Sequence, residues 1–564
     1  MQLKHRNNIF LILILSSYVL GCLPKENSGF GSNISTDSQK ISAGRKSFDL
    51  LCSSCHDFEQ DAIGPNLSGL THSVETSWIK NFIADPPKMI EANDMRALAL
   101  IKKYKVLMPN FKYLSGLEVD EILSYLHTFE KMDTAETDSV TSVQNPIKDT
   151  ISYAGFTAHL EFIAQAPALN NEGPLTRINK LSCENGSGRL FVNDLSGFLY
   201  ELKNGKTDLY LPLKELRPDF IDRPGMGTGF GSFAFHPEFT ENGLLYTTHT
   251  ETAGSKLADF TLPDSVKVKF QWVVTEWKLK QPDALKFSGS QKELMRFDFI
   301  ASSHGLQEIT FNSNAQKGDS DFGMLYIGLG DGGSVQVGYP EIADHHGSDI
   351  WGSILRIDPL GNNSVKKNYG IPDDNPFVGS TVIKNEIWAY GFRNPNRITW
   401  DNSGRMLASD IGQANIEELN IIEAGKFYGW PIREGTFMFN PYGDLNKIYP
   451  LPKNDTNISI TYPMIQYDHD EGSAISGGFV SHGKLFKGNY IFGDIPTGRL
   501  FISDLTSSKT SEIEELNIAF DDKETTFHEL LGSVRVDLKF GKNCRDEIYV
   551  FTKTDGRIYR LKEF

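Results

Sequence analysis

Cys52, Cys55 and His56 form a Cys-x-x-Cys-His motif, an arrangement with a specific chemical meaning. Two thiols three positions apart can form two thioether bonds to haem, while the adjacent imidazole binds the iron from one side. The alternative is a zinc or redox pair, but the chain has no second cysteine pair and a redox motif does not need the histidine. The motif therefore predicts covalently bound haem c.

Polar residues beside glycines follow short β-type runs farther along the chain. They are His304, Gln336 and the pair Arg393-Asn394, and the same segment continues to Tyr428-Gly429-Trp430. A β scaffold presents polar side chains in this way at the mouth of a pocket. We therefore predict one polar site in this segment.

The elements that must position this site are predicted to be β-strands. A strand-glycine-strand phrase recurs between residues 153 and 564, for example in residues 189–200, 490–501 and 547–559. Irregular self-similarity of this kind predicts a β-propeller, and about four strands per blade would give about six blades. The alternative is a pair of large β-sandwiches, which does not explain the recurring phrase.

Length, charge and cysteine use restrict the class of protein. A chain of 564 residues is expected to contain two domains with linkers, and a net charge of −16 argues against nucleic-acid binding. The contexts of the five cysteines fit an exported protein.

Cys183 and Cys544 lie in the first and last candidate blades, which a closed ring makes neighbours. A disulfide and two buried thiols are both compatible with this.

The N-terminal segment has the features of a secretory signal. Residues 1–22 carry a basic start, a short apolar run and Val19-Leu20-Gly21-Cys22 at the end. This ending resembles a bacterial lipobox, which implies lipidation of Cys22 and a membrane-anchored periplasmic protein, by resemblance at the outer membrane. An ordinary signal peptide or a retained anchor is the alternative. Residues 23–40 are predicted to be a flexible tether.

Residues 41–132 resemble a class I cytochrome c. The resemblance rests on the haem motif, on Gly64-Pro65-Asn66-Leu67, on residues 106–111 and on the helical apolar spacing of residues 117–126. It implies a small all-α domain with Met108 as the sixth iron ligand, Met89 and Met95 being weaker candidates. His/Met ligation would make this module an electron carrier. Residues 133–152 lack apolar periodicity and are predicted to be a linker.

The region from 153 to 564 is similar to the glucose/sorbosone dehydrogenases that use pyrroloquinoline quinone, a family of all-β six-bladed propellers. The phrases that carry the resemblance are residues 232–239, 330–333, 354–358, 391–395, 418–422 and 428–431. The resemblance implies that a sugar or alcohol is oxidised, with the quinone and calcium as cofactors.

The same resemblance assigns roles to residues. His304 would be the general base, Arg393 would stabilise charge beside the quinone, and Asn394 and Gln336 would bind the cofactor. The alternatives are a histidine that caps a turn and an Arg-Asn-Pro turn with a surface salt bridge. Asp331 could form only an Asx turn or contact the site directly.

Calcium is expected on the backbone carbonyls of Gly412 and Gln413. Arg499 is predicted to bind a carboxylate of the quinone. Arg535 and Asp537 fit either the pocket or an ion pair that closes a blade. The adjacent His345 and His346 are interpreted as surface residues.

Two positions depart from the family pattern. Gly227 stands where well-studied members have glutamine, and Ser303 stands where an aspartate precedes the catalytic histidine. The second change is expected to remove a carboxylate that tunes His304, so the two departures affect the expected substrate and rate and not the expected fold.

The sequence thus predicts a lipid-anchored quinohaemoprotein dehydrogenase. Its haem would pass electrons from the quinone to a periplasmic acceptor. The alternatives are a propeller that only binds proteins or glycans, and a haem-linked enzyme that uses another cofactor.

Overall fold

The structure is a computed structural model. It describes residues 34–52, 56–58, 61, 64–104, 107–130, 141–171, 174–225, 227–344, 350–451, 459–483, 486–505 and 512–562. The predicted signal with Cys22, the haem-motif residue Cys55 and the pair His345-His346 lie outside these residues. Within them, no helix has the length and apolar character needed to cross a membrane.

The N-terminal part is a helical unit. Its helices are α1 (Ser38–Leu51), α2 (Leu70–Ser73), α3 (Thr76–Ala84), α4 (Pro86–Glu91), α5 (Met95–Tyr104) and α6 (Gly116–Leu126). Helix α1 packs against α6 around a buried cluster that includes Phe48, Ile79 and Ile122. A Cβ on Gly44 would lie 1.8 Å from the Glu121 carbonyl oxygen, so glycine is required where the two helices cross.

Two boundaries of this unit follow from helix caps. The side chain of Ser115 accepts from the Glu118 amide in a capping box, which begins α6 and agrees with the helical spacing in the sequence. Helix α1 begins within the predicted tether, because the Asp37 side chain accepts from the amides of Gln39 (2.8 Å) and Lys40 (3.1 Å).

The rest of the described chain forms a propeller of six four-stranded blades. Strand β1 (Ser152–Gln165) precedes blade 1, which consists of β2 (Ile178–Cys183), β3 (Leu190–Asp194), β4 (Phe198–Lys203) and β5 (Lys206–Leu211). Blade 2 contains β6 (Phe230–Phe235), β7 (Leu244–Thr252), β8 (Phe270–Leu279) and β9 (Gly289–Phe299). Blade 3 contains β10 (Glu308–Phe311), β11 (Leu325–Leu329), β12 (Ser353–Ile357) and β13 (Ile387–Tyr390).

Blade 4 carries an inserted small sheet. Its blade strands are β14 (Pro395–Trp400), β15 (Met406–Asp410), β16 (Ile416–Ile422) and β20 (Ile465–Asp468), and the insertion is β17 (Arg433–Glu434), β18 (Phe437–Phe439) and β19 (Ile448–Tyr449). Blade 5 contains β21 (Ile475–Val480), β22 (Asn489–Asp494), β23 (Leu500–Asp504) and β24 (Ile513–Phe520), with β25 (Lys523–Thr525) paired to β24. Short helices α7 (Leu213–Leu216), α8 (Phe239–Asn242) and α9 (Phe527–Leu531) and a 3-10 turn (Pro340–Ile342) lie in the loops.

Blade 6 closes the ring by joining the two ends of the propeller sequence. Strands β26 (Leu538–Lys542), β27 (Ile548–Thr552) and β28 (Arg557–Lys562) are completed by β1, which pairs antiparallel with β28. Strand β26 also pairs in parallel with β2 of blade 1. The disulfide between Cys183 and Cys544, whose Cα atoms are 5.7 Å apart, is confirmed and links the same two blades.

Ionic contacts join the innermost strands at the axis of the ring. Glu308 of blade 3 binds Lys180 of blade 1 (Nζ–Oε1 2.5 Å) and Arg397 of blade 4 (Nη1–Oε2 2.8 Å), and all three side chains are buried. Arg397 also donates to the carbonyls of Gly477 (3.3 Å) in blade 5 and Phe540 (2.8 Å) in blade 6. This axial ion group therefore contacts five of the six blades.

The described part of the predicted linker is bound to the propeller. The Val143 amide donates to the Ile448 carbonyl at 2.9 Å, and the Ile147 amide donates to Asp468 at 3.2 Å. Both side chains pack on a cluster that contains Trp430. Apolar side chains and backbone hydrogen bonds thus fix the described part of this segment, although it lacks apolar periodicity.

Replacing Glu308 by alanine leaves Lys180 and Arg397 buried without their carboxylate. We expect the free energy of unfolding of the propeller to fall by about 3–5 kcal/mol. Chemical denaturation followed by tryptophan fluorescence measures this change. Glu161→Gln, in partly exposed ion pairs at the edge of blade 6, should cost less than about 1 kcal/mol. Equal losses in the two variants would contradict a central role for the axial ion group.

Candidate active site

His304 lies in the loop between β9 and β10 and pairs with Asp331. Its backbone is left-handed, with φ of 52°, and a Cβ on Gly330 would lie 2.3 Å from the His304 carbonyl oxygen. His304 Nδ1 is 2.6 Å from Asp331 Oδ1. The same carboxylate accepts from the Gly333 amide (2.8 Å) and from Trp430 Nε1 (3.0 Å). Asp331 therefore forms the Asx turn and also orients the histidine.

This pair corrects the expectation drawn from Ser303. A carboxylate does contact His304, but it comes from Asp331 and not from the preceding residue. Burial lowers the pKa of His304, Arg393 lowers it further, and Asp331 opposes both. The imidazole is therefore neutral near pH 7, with Nδ1 donating to Asp331 and Nε2 left as a proton acceptor.

Arg393 and Asn394 lie just before β14 and are fixed through their backbone. Their amides donate to the two oxygens of Asp410 at 2.9 and 2.6 Å. Burial and then Glu418 raise the pKa of Asp410. Arg393 Nε donates to Gln413 Oε1 at 3.0 Å. Arg393 is only 2% exposed, so its interpretation as part of a surface salt bridge is wrong.

Several buried polar atoms around this group have no hydrogen-bond partner. Gln336 Nε2 donates to Gln413 Oε1 at 2.9 Å, which brings Gln336 beside Arg393. Among the described residues, the partnerless atoms at the site include Ser303 Oγ, Gln336 Oε1, Asn394 Oδ1 and Gln413 Nε2. Buried polar groups are normally satisfied, so this cradle is suited to a polar ligand.

The loop between β15 and β16 is shaped by Glu434, a residue that the sequence analysis missed. Its Oε1 accepts from the amides of residues 413–416 at 2.8, 2.9, 2.7 and 3.0 Å. A Cβ on Gly412 would lie 1.7 Å from the Ile416 carbonyl oxygen. In the described part of the chain, no cluster of three or more His, Cys, Asp or Glu side chains could hold a metal ion. A cation here would therefore depend on carbonyl oxygens, as predicted for Gly412 and Gln413.

Other predicted residues are engaged elsewhere. Arg499 binds Glu471 (2.8 Å) and Glu515 (2.6 Å), so its guanidinium is already neutralised by two carboxylates. The structure does not bring it into the group around His304. Arg535 and Asp537 form an ion pair at 2.8 Å, one of the two alternatives predicted for them.

Two cations near the axis were not found from the sequence. Lys539 lies on β26, with Arg397 and Glu308 among its electrostatic neighbours, and burial, Lys553 and Arg397 lower its pKa to about 7. Burial lowers the pKa of Lys553 to about 8. Neither ammonium has an ion-pair partner among the described residues. Only Lys539 lies within β26, and no local sequence pattern marked either lysine as part of a site.

The helical unit contains a cavity that brings the predicted haem ligands together. His56, Met108 and Cys52 line the same largely apolar cavity of about 170 Å³. His56 Nδ1 is 2.9 Å from the Pro65 carbonyl, so Nε2 is the nitrogen left for a metal. Burial lowers the pKa of His56, which favours the neutral ligand form.

The three methionine candidates differ in position. Met108 lines this cavity, whereas Met95 is 81% exposed. Met89 is not among the residues that line the described cavity. The geometry therefore favours Met108 as the sixth ligand.

Comparisons with known proteins identify the propeller region. The family model described as Glucose / Sorbosone dehydrogenase matches residues 184–560. HIPL2 protein of Arabidopsis thaliana is 30% identical over 387 residues, 58% of this chain and 52% of that protein. Quinoprotein glucose dehydrogenase B of Acinetobacter calcoaceticus is 26% identical over 229 residues, 38% of this chain and 42% of that protein.

Hedgehog-interacting protein of Homo sapiens is 23% identical over 412 residues, 68% of this chain and 50% of that protein. The chain thus spans about half the length of the curated relatives it matches first. The structure of apo aldose sugar dehydrogenase from Escherichia coli has a TM-score of 0.50 and 18% identity. It covers 72% of this chain and 99% of that one, and it supports the fold.

Removing the carboxylate of Glu434 should release the loop between β15 and β16. In Glu434→Ala four amides lose their acceptor, and we expect residues 413–416 to exchange amide hydrogen at least about tenfold faster, since each lost bond costs about 1–3 kcal/mol. Hydrogen–deuterium exchange with mass spectrometry measures this. Glu423→Ala, in the loop that follows β16, is the control. Unchanged exchange in Glu434→Ala would show that the loop does not depend on this carboxylate.

Proposed function

The chain belongs to the glucose/sorbosone dehydrogenase family, and on that basis we propose that it oxidises a sugar or alcohol hydroxyl with pyrroloquinoline quinone. We further propose that the electrons leave through a c-type haem of the same chain. The observation that carries the proposal is the buried group in which His304, paired with Asp331, lies beside Arg393 and several polar atoms without partners.

His304 is the proton acceptor in this proposal. Its Nε2 would take the hydroxyl proton of the substrate, and Asp331 would stabilise the imidazolium that forms. The quinone, when bound, supplies an acceptor for the hydride that leaves the carbon carrying this hydroxyl. The products are then a carbonyl compound and the two-electron-reduced cofactor.

Arg393 and the cradle atoms would bind and orient the cofactor. The guanidinium is fixed by Gln413, so it can stabilise negative charge without rearranging. Gln336 and Asn394 each present an unpaired oxygen. Carbonyls of Gly412 and Gln413 would hold calcium beside them.

Lys539 and Lys553 replace Arg499 as the proposed partners of the quinone carboxylates. Arg499 is neutralised by two glutamates, whereas the two lysines have no carboxylate partner within the described chain. Burial lowers the pKa values of both lysines, and an anionic ligand would favour their charged forms.

The helical unit is proposed to carry the haem on Cys52 and Cys55, with His56 and Met108 as axial ligands. The shared cavity of His56 and Met108 supports this. Export by residues 1–22, lipidation of Cys22 and a periplasmic electron acceptor belong to the same proposal and rest on the sequence alone.

A second candidate function is a propeller that binds another protein without catalysis. It is favoured by the match to Hedgehog-interacting protein over 68% of this chain. Absence of quinone binding by the purified, calcium-loaded protein would favour this alternative.

His304→Ala should abolish reduction of the haem by sugars in protein loaded with the quinone and calcium. We expect a loss of about 10²–10⁴-fold, the contribution of a general base. The haem α-band measures reduction, and His482→Ala, which changes a partly exposed histidine, is the control. Full activity in His304→Ala would contradict the proposal.

Asp331→Asn should shift the pH profile as well as lower the rate. Wild-type activity should rise with pH through an apparent pKa below 6.5, because burial and Arg393 lower the pKa of His304. Asp331 raises that pKa, so the variant should reach its lower plateau at more acidic pH. An unshifted profile would indicate that Asp331 has only a structural role.

Lys539→Met should weaken quinone binding about tenfold or more at pH 7, the cost of one charged hydrogen bond. In the wild type, affinity should fall as pH rises above about 7, because the free lysine then loses its proton. Titration calorimetry measures both effects. Lys542→Met, which changes the net charge equally but removes a cation paired with Asp546, should bind as the wild type does. Equal affinities in all three proteins would contradict this assignment.

A further inference from the structure

The helical unit contacts the propeller through the loop that follows α5. Arg535 Nη1 donates to the Leu107 carbonyl at 2.8 Å. The Arg223 guanidinium lies 4.2 Å from the centroid of the Tyr113 ring. The first arginine precedes β26 of blade 6, and the second lies between blades 1 and 2. Residues 107–113, here called the docking loop, are thus bound from two sides.

The docking loop contains Met108, the proposed iron ligand. Leu107, which accepts the bond from Arg535, is its neighbour in sequence and lines the same cavity. Arg535 therefore binds the residue next to the proposed iron ligand, at the edge of the proposed haem site.

On the propeller, the loop that carries Arg223 also contacts the segment around His304. A Cβ on Gly225, two positions after Arg223, would lie 2.8 Å from Ser302 Cβ. Gln307 Nε2 donates to the Gly227 carbonyl at 3.1 Å. The loop that carries Arg223 is thus packed against residues 302–307.

Two cavities lie along the boundary between the two units. A cavity of about 380 Å³ separates the docking loop from the propeller and is lined by Phe111, Tyr113, Arg177, Arg223 and Arg535 among others. A second cavity of about 300 Å³ extends along the same boundary. Where cavities open an interface, specific contacts such as the bond from Arg535 to the Leu107 carbonyl hold the two sides together. Asp537 fixes Arg535 through the ion pair at 2.8 Å.

We propose that Arg535 and Arg223 are positioning residues that hold the docking loop over the loops of the catalytic site. Electrons then pass from the quinone site to the haem across this contact. The inference rests on the proposed function. Each substrate oxidised yields two electrons and two protons. The iron carries one electron at a time, so two transfers follow, and a one-electron acceptor protein reoxidises the iron after each. The protons are released to solvent.

The test compares Arg223→Ala/Arg535→Ala with the wild type and with Arg560→Ala, which removes an arginine from the outer side of blade 6. Each protein is loaded with the quinone and calcium, and haem reduction by substrate is followed by stopped flow. A soluble dye that takes electrons directly from the quinone site gives the rate of substrate oxidation. We expect at least a tenfold slower haem reduction in the double variant, because each charged contact changes a docking equilibrium by about tenfold or more. Dye reduction should be unchanged.

Small-angle scattering of the quinone-free protein provides a readout independent of activity. The radius of gyration should increase in the double variant and remain at the wild-type value in Arg560→Ala. Wild-type haem reduction and scattering in the double variant would overturn the inference while leaving the proposed function intact. Absence of both haem and dye reduction in the wild type would instead refute the proposed function, and the scattering result alone would then decide the docking contact.

Discussion

The geometry of the site depends most on the two ion pairs that the buried Glu308 forms with Lys180 and Arg397. Glu308 and Arg397 lie four residues after His304 and Arg393, on the strands that those two residues precede. An ion group that fixes the start of β10 against the start of β14 therefore also fixes the distance between the proposed base and the proposed cation. Burying three charges is costly, but here each is paired and the arginine also binds backbone carbonyls of two further blades.

A second type of hydrogen bond recurs in three blades of the ring. An aspartate at the end of the second strand of a blade accepts backbone amides from the segment before the innermost strand. Asp194 does so for Arg177 in blade 1, Asp410 for Arg393 in blade 4 and Asp494 for Ser473 in blade 5. Buried carboxylates that accept amide bonds give loops a defined shape without regular structure. In blade 4 these hydrogen bonds are part of the site, because the amides that Asp410 binds belong to Arg393 and Asn394.

The sequence predicted the propeller because local patterns determine blades. The strand-glycine-strand phrase, the helical spacing of residues 117–126 and the positions of Cys183 and Cys544 all appear in the fold as expected. The grouping of His304, Gln336 and Arg393 agrees with the polar site predicted from their positions in the sequence. Gln413, which the family resemblance gave as a backbone-carbonyl ligand, joins them through its side chain. What the sequence patterns did not reveal were several side-chain contacts in and around the site. Asp331 lies 27 residues from the histidine it orients, and Glu434 acts from an inserted sheet. Arg499 was assigned by residue type, and no local pattern revealed that Glu471 and Glu515 neutralise it.

The two departures from the family pattern are met by residues from elsewhere in the chain. Ser303 cannot supply a carboxylate to the histidine, but Asp331 does so from the loop between β11 and β12. Gly227 has no side-chain amide, but a Cβ at that position would lie 2.3 Å from Gln307 Nε2. The space beside Gly227 is therefore already filled by another glutamine amide, and a glutamine at 227 would displace it. Chemistry at a site requires a functional group at the right point in space, and any position in the sequence can supply it. Neither departure by itself therefore removes the chemistry that the fold can support.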